Sequence, residues 1–165
     1  MVELIKPSWR EIASYSKQLC KRIKKEYKPE ILVGISRGGL VPVRLFSDYL
    51  DNYNVGIIRV VFYKGINKGE NEPKIEQPLT IEIRDKKVLL VDDVADTGQS
   101  LKVAIEYIKS LEPKEVKVAC LYYKPNSIFK PEYYAETTSA WIDYPWEHEE
   151  TKKKLKLLKE KSEEN

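Results

Sequence analysis

The sequence predicts an α/β domain, a parallel β-sheet core flanked by helices, and two observations carry that expectation. A short continuous apolar run at Ile31–Ile35 and β-branched runs at Val55–Tyr63, Val88–Val91 and Val116–Tyr122 are interleaved with stretches of helical period. Strands buried on both faces read as unbroken apolar runs, and the alternation strand, helix, strand is the signature of a parallel sheet. The second observation is size: 165 residues, 42% hydrophobic and 33% charged, suit one domain that buries roughly two-thirds of its unfolded surface without a metal or disulfide staple.

Each element has a local reason. Ser8 followed by Glu11 forms a capping box, and Trp9, Ile12, Leu19, Ile23 and Tyr27 recur at helical spacing until Pro29 stops the pattern. Ile31–Ile35 ends in Ser36-Arg37-Gly38-Gly39, after which Leu40–Leu50 reads as a helix with Pro42 in its first turn. Leu101, Ile105, Ile108 and Leu111 give the helix between the last two apolar runs. The polar, Gly- and Pro-containing stretch after Tyr63 is too long for an ordinary connection, so a mobile lid is expected over about 63–80. Leu79–Ile83 alternates like a short edge strand, no clear period follows Pro131 until Trp141-Ile142, and a Lys/Glu helix begins near Glu147.

Composition excludes several classes. The net charge is +3, and residues 1–28 carry eight Lys/Arg against three Asp/Glu. That basic stretch reads as the polar side of an amphipathic helix, so no nucleic-acid partner is expected. No apolar run approaches the roughly 18 residues of a membrane span, and no signal-peptide pattern opens the chain, which points to no membrane partner and a cytoplasmic protein. Cys20 and Cys120 sit in apolar contexts without metal spacing and read as reduced core residues.

The densest chemical signal is Val88-Leu-Leu-Val-Asp92-Asp93-Val-Ala-Asp96-Thr97-Gly98-Gln99-Ser100-Leu101. Two carboxylates end a buried strand, and a small-residue turn opens a helix at the edge where open parallel sheets bind ligands. Amides of 97–100 at a helix N-terminus suit a phosphate, while adjacent acids suit sugar hydroxyls or Mg²⁺. A strand end with solvated acids and Asp96 as helix N-cap is the plainer alternative.

The run resembles the signature for 5-phosphoribosyl-1-diphosphate (PRPP) of the type I phosphoribosyltransferases. The resemblance implies that fold with a small hood from the N- and C-terminal segments, in one phosphoribosyltransferase domain over 1–165. It further implies that Asp92 and Asp93 grip the ribose hydroxyls, partly through Mg²⁺, and that Asp96, Thr97, Gly98, Gln99 and Ser100 bind the 5′-phosphate. Asp96 matches the family's proton acceptor at purine N7. Ser36, Arg37 and Gly38 fall where the family has its diphosphate loop. Lys124, after the strand ending Cys120-Leu-Tyr-Tyr, resembles the lysine that reaches a purine 6-oxygen in the xanthine-guanine and hypoxanthine-guanine branch. Trp141 would stack on the base, Ile142 would supply main-chain contacts and Asp143 would lie near the 2-position. The implied activity is purine salvage: a 6-oxopurine and PRPP give the nucleoside monophosphate and pyrophosphate, in a homodimer or higher homo-oligomer. Arg59, Lys64 and Lys68 are lid-side charges. The chain departs from many purine enzymes in having Phe62-Tyr63-Lys64-Gly65 where they begin the lid with Ser-Tyr.

Two decoys and one rival accompany this reading. Gly34-Ile35-Ser36-Arg37-Gly38 also spells the G-x-S-x-G elbow of serine hydrolases, with Asp143 and His148 in the right chain order, but His148 lies in a charged run and reads as a solvated surface residue. The Asp-Asp pair resembles that of response-regulator receivers, yet it comes late and residues 97–142 contain no Asp. The rival is a non-catalytic regulator of the same fold that senses PRPP, in which Lys124 and Trp141 would be idle.

Overall fold

The computed structural model describes residues 3–64 and 71–163. The element order is β1 (Leu4–Ile5), α1 (Trp9–Glu26), β2 (Ile31–Ser36), α2 (Leu40–Leu50), β3 (Val55–Lys64), β4 (Asn71–Gln77), β5 (Lys87–Ala95), α3 (Gln99–Ser110), β6 (Glu115–Tyr123), β7 (Tyr133–Thr137), β8 (Trp141–Ile142) and α4 (His148–Glu163). Two compact units result: residues 15–138 form a core unit, and residues 1–14 with 139–165 form a hood unit.

In the core unit a six-stranded sheet runs in the order β4-β3-β2-β5-β6-β7. Only β4 is antiparallel. The central strands β2 and β5 are the most continuously apolar, and Leu32, Val33, Leu89 and Leu90 are fully buried, as the unbroken runs require. Helix α3 presents Leu101, Ala104, Ile105 and Ile108 to the cluster built on Val33, Ile35, Ile58 and Leu90, so its period-3.6 stripe is its packing face. Helix α2 buries Val43 and Phe46. Just past α1, the Tyr27 hydroxyl lies 2.9 Å from the Val88 carbonyl and 3.0 Å from that of Glu115. One O–H shared between two carbonyls fixes this end of the helix on β5 and β6.

The sheet departs from the sequence reading in three places. The edge strand is β4 at Asn71–Gln77, not Leu79–Ile83, which is irregular. Glu76 pairs with Arg59 across the β3–β4 ladder at 2.7 Å, and Ile75 packs on the core; a strand with one wet face tolerates the polar composition that suggested a loop. The far half of the expected lid is therefore sheet, and Arg59 is in that ladder. Gly65, Lys68 and Gly69 lie outside the described residues. Strand β5 continues through Asp92 and Asp93 to Ala95, so the acidic pair sits within the strand. Finally β7 adds an edge where no period was legible. Its neighbour Glu132 accepts a hydrogen bond from the Val118 N–H at 2.8 Å.

The hood unit pairs β1 with β8 in parallel, Leu4 opposite Trp141 and Ile5 opposite Ile142. The capping box forms as the sequence implies: Ser8 N–H donates to Glu11 Oε2 at 2.8 Å and Glu11 N–H to Ser8 Oγ at 3.2 Å. Trp146 stacks on Tyr144 at 4.6 Å and meets Trp9 at 5.6 Å. Both cysteines are buried and free. Among the described residues no helix is long and apolar enough to cross a membrane.

Candidate active site

The core-unit residues singled out above gather at the carboxyl edge of the sheet, because β2, β5 and β6 run parallel and end there. Asp92 and Asp93 are each 8% exposed. The Asp93 N–H donates to Asp92 Oδ1 at 2.9 Å and the Val94 N–H to Asp93 Oδ1 at 2.7 Å, so each carboxylate is oriented by main chain. Cys120 stands beside Asp92 in the ladder. Burial first, then the two carboxylates, push its thiol far up, which leaves it an inert apolar neighbour.

The turn after β2 touches the acidic pair directly. A Cβ on Gly38 would lie 2.5–2.6 Å from all three atoms of the Asp93 carboxyl group, so only glycine allows this approach. Arg37, in the same turn, is exposed.

The turn after β5 is set by backbone. Gly98 has φ +82, and a Cβ there would also meet Ser127 Oγ at 2.6 Å and Phe129 N at 2.8 Å. Ile128 N–H donates to the Thr97 carbonyl at 2.9 Å, so residues 127–129 buttress the turn, a support that no sequence signal announced. Helix α3 starts at Gln99 with Gly98 as N-cap and no side-chain cap. Asp96 is therefore not the cap. Gly98 brings no capping side chain, and the Gln99 N–H donates to Thr97 Oγ1 at 3.4 Å; first-turn amides of this kind are suited to an anion.

Asp96 instead faces Lys124: Asp96 Oδ1 lies 3.1 Å from Nζ, and the lysine side chain is only 15% exposed. The backbone fixes this pair, since Lys124 N–H donates to the Ala95 carbonyl at 3.0 Å. Lys124 is thus not an ordinary surface lysine.

The donor set also decides how a metal could be held. Among the described residues no cluster of three or more His, Cys, Asp or Glu is arranged for an ion. Two adjacent carboxylates suit Mg²⁺ all the same, because that ion is held through one or two carboxylates plus water and substrate phosphate oxygens.

In the hood unit, Trp141 is 36% exposed, and the Lys154 ammonium lies 5.7 Å from its ring centre. Ile142 and Asp143 are buried. The Asp143 carboxylate takes His148 Nδ1 at 2.9 Å on one oxygen and Lys6 Nζ at 3.5 Å near the other. Burial, the largest influence, opposes its ionisation, but hydrogen bonds from His148 and Thr151, the His148 charge and Lys6 together outweigh it and hold the carboxyl below the ordinary aspartate range. His148 is therefore half-exposed and partnered, not simply solvated. The Asp–His half of the hydrolase pattern exists, but as part of a Lys6–Asp143–His148–Thr151 cluster. Lys6 and Thr151 gave no signal because nothing in the sequence reveals that β1 and α4 meet at residue 143.

A buried acidic pair running into a glycine-capped helix N-terminus, with a second glycine turn against it, is an arrangement at the strand ends where an open α/β sheet takes a ligand. The phosphoribosyl transferase domain matches residues 2–154, and the chain belongs to that family, with the type I fold. It is 32% identical over 149 residues to the xanthine-guanine phosphoribosyltransferase of Cereibacter sphaeroides, covering 85% of this chain and 84% of the relative. The purine phosphoribosyltransferase of Pyrococcus horikoshii superposes with TM-score 0.81 at 37% identity, over 87% of this chain and 93% of that one. The xanthine-guanine-hypoxanthine phosphoribosyltransferase of Helicobacter pylori gives TM-score 0.79 at 26% identity, over 92% and 98%.

Proposed function

We propose that this enzyme joins a 6-oxopurine to PRPP in a Mg²⁺-dependent reaction, yielding the nucleoside 5′-monophosphate and pyrophosphate for purine salvage in the cytoplasm, as a homo-oligomer. The observation that carries the base class is the Lys124–Asp96 pair at 3.1 Å. It sets a cationic donor beside a carboxylate acceptor, and the 6-oxygen and N7 of an oxopurine are neighbours on one edge. Lys124 donates to the 6-oxygen while Asp96 takes the proton at N7.

The chain's other residues divide the remaining work. Main-chain amides of 97–100 and the hydroxyls of Thr97 and Ser100 hold the 5′-phosphate, and Asp92 with Asp93 orients the ribose hydroxyls. A ring nitrogen of the purine attacks C1′ as the diphosphate departs, so negative charge grows on the leaving group. Ser36, Arg37 and Gly38 receive it through amides and a guanidinium fork. Asp92 and Asp93, together with substrate oxygens, would hold Mg²⁺, which would supply charge neutralisation for the same group. Trp141 and Ile142 take the stacking and main-chain roles that the resemblance to the family implies. The Asp143 carboxylate is committed inside the hood unit, so any contact residue 143 makes with a base comes from its main chain.

The test is a base panel at saturating PRPP and Mg²⁺. Adenine carries an amino group where Lys124 needs an acceptor, and sites built on such a hydrogen bond reject the mismatched analogue by roughly 10⁴. Hypoxanthine, guanine or xanthine should turn over and adenine should not; comparable kcat/KM for adenine would overturn the assignment of Lys124.

A further inference from the structure

We propose that α4 is a positioning element for Trp141, acting through Lys154, whose ammonium rests over the indole and is braced by Glu150. The contact is 5.7 Å from Lys154 Nζ to the ring centroid, and Lys154 Nζ lies 2.9 Å from Glu150 Oε1. A glutamate four residues N-terminal to a lysine is the favoured orientation of such a pair, and it restricts the lysine to fewer rotamers. His148, Thr151 and Lys154 recur every three residues along one side of α4. The first two hold the Asp143 carboxylate, and the third covers Trp141, so successive turns of the helix grip residues 141–143.

Trp141 needs an outside brace. Strand β8 is only two residues long, and its N-terminal residue is tied through the Trp141 N–H to the Glu3 carbonyl at 2.8 Å. That bond fixes the backbone but not the side-chain torsions of a ring 36% exposed. A cation over the indole face restrains those torsions, because the ring quadrupole attracts it.

The inference rests on the proposed stacking role of Trp141, so the experiment separates the two. Full-length protein labelled with 5-fluorotryptophan is observed by fluorine NMR, with the Trp141 resonance assigned by Trp141→Phe. Lys154→Met should shift that resonance, and Lys154→Arg should largely restore it. In kinetics at saturating PRPP, Lys154→Met should raise the purine KM by about 2- to 5-fold, the worth of an exposed cation–π contact, with kcat, the PRPP KM and the thermal midpoint unchanged. An unmoved resonance, or an unchanged or lowered purine KM while Trp141→Leu raises it, would overturn the positioning role. If Trp141→Leu itself leaves the purine KM unaltered, the stacking reading falls, and the resonance alone judges the Lys154 contact.

Discussion

The β5–α3 turn and the segment 141–143 are built by opposite means. Between Asp92 and Ser100 the chain shapes itself: neighbouring N–H groups orient the carboxylates, and Gly98 supplies the positive φ. Residues 141–143 have almost no such self-support and take their order from side chains just after β1 and on α4, through Lys6, His148, Thr151 and Lys154. A site made of local backbone geometry fails abruptly when its own residues, or the groups packed tightly on its backbone such as Gly38 and residues 127–129, are changed. One made of borrowed side chains fails gradually, one contact at a time.

That contrast ranks the outcomes of substitution. The largest effect belongs to the self-built turn: Asp96→Asn keeps the shape but cannot take a proton, so kcat should fall by about 10²–10⁴ with the PRPP KM nearly intact in steady-state assays. Near-normal turnover would remove Asp96 from the chemistry. Next comes Gly38→Ala. The new methyl would fall 2.5–2.6 Å from the Asp93 carboxyl atoms, and relieving such overpacking costs about 1–3 kcal/mol. Because the atoms displaced are those assigned to the ribose, the loss should appear as a PRPP KM raised roughly tenfold, larger than any change in purine KM. A purely thermal effect with normal PRPP kinetics would detach Gly38 from the site.

The same contrast explains what the sequence could disclose. The self-built turn is one contiguous string whose function follows from its own letters, and α2 lies on Leu40–Leu50 as its period and Pro42 imply. Strand β4 escaped because its wet face and Pro73 imitate a loop, and β7 because five residues with a polar C-terminal end show no usable period. The plainer alternative for Asp96, a helix cap, fails because the glycine two residues on takes that position and leaves the carboxylate for Lys124. That pairing joins residues just past the ends of neighbouring strands, and spacing along one chain cannot show it. His148 misled for the same reason: its run is charged, but its partner is Asp143, whose burial is tertiary.

The smallest effect tests the borrowed order itself. The Asp143 carboxyl is held below the ordinary aspartate range, so its stabilising contribution is present above the unfolded value of about 3.9 and is lost as pH falls through the lower folded value. Replacing it by Asn removes the charge but nearly preserves the volume, leaving His148 and Lys6 without an anionic partner. A hydrogen-bonded charge is worth about 1.5–3 kcal/mol, which for a chain of this size corresponds to a thermal midpoint lowered by roughly 3–10 °C near neutral pH. As pH falls from about 3.9 through the lower folded value, the native protein protonates the same carboxyl, and the gap between the two midpoints should close. A gap independent of pH from neutrality down to acid would mean that Asp143→Asn destabilises through shape, not charge, and that the cluster at residue 143 is held by packing. Hydrogen exchange at the main-chain N–H of residue 143, which in the native protein donates to the Ile5 carbonyl at 2.9 Å, should quicken in the same variant, because the strand pair β1–β8 has only two ladder residues on each side to resist opening.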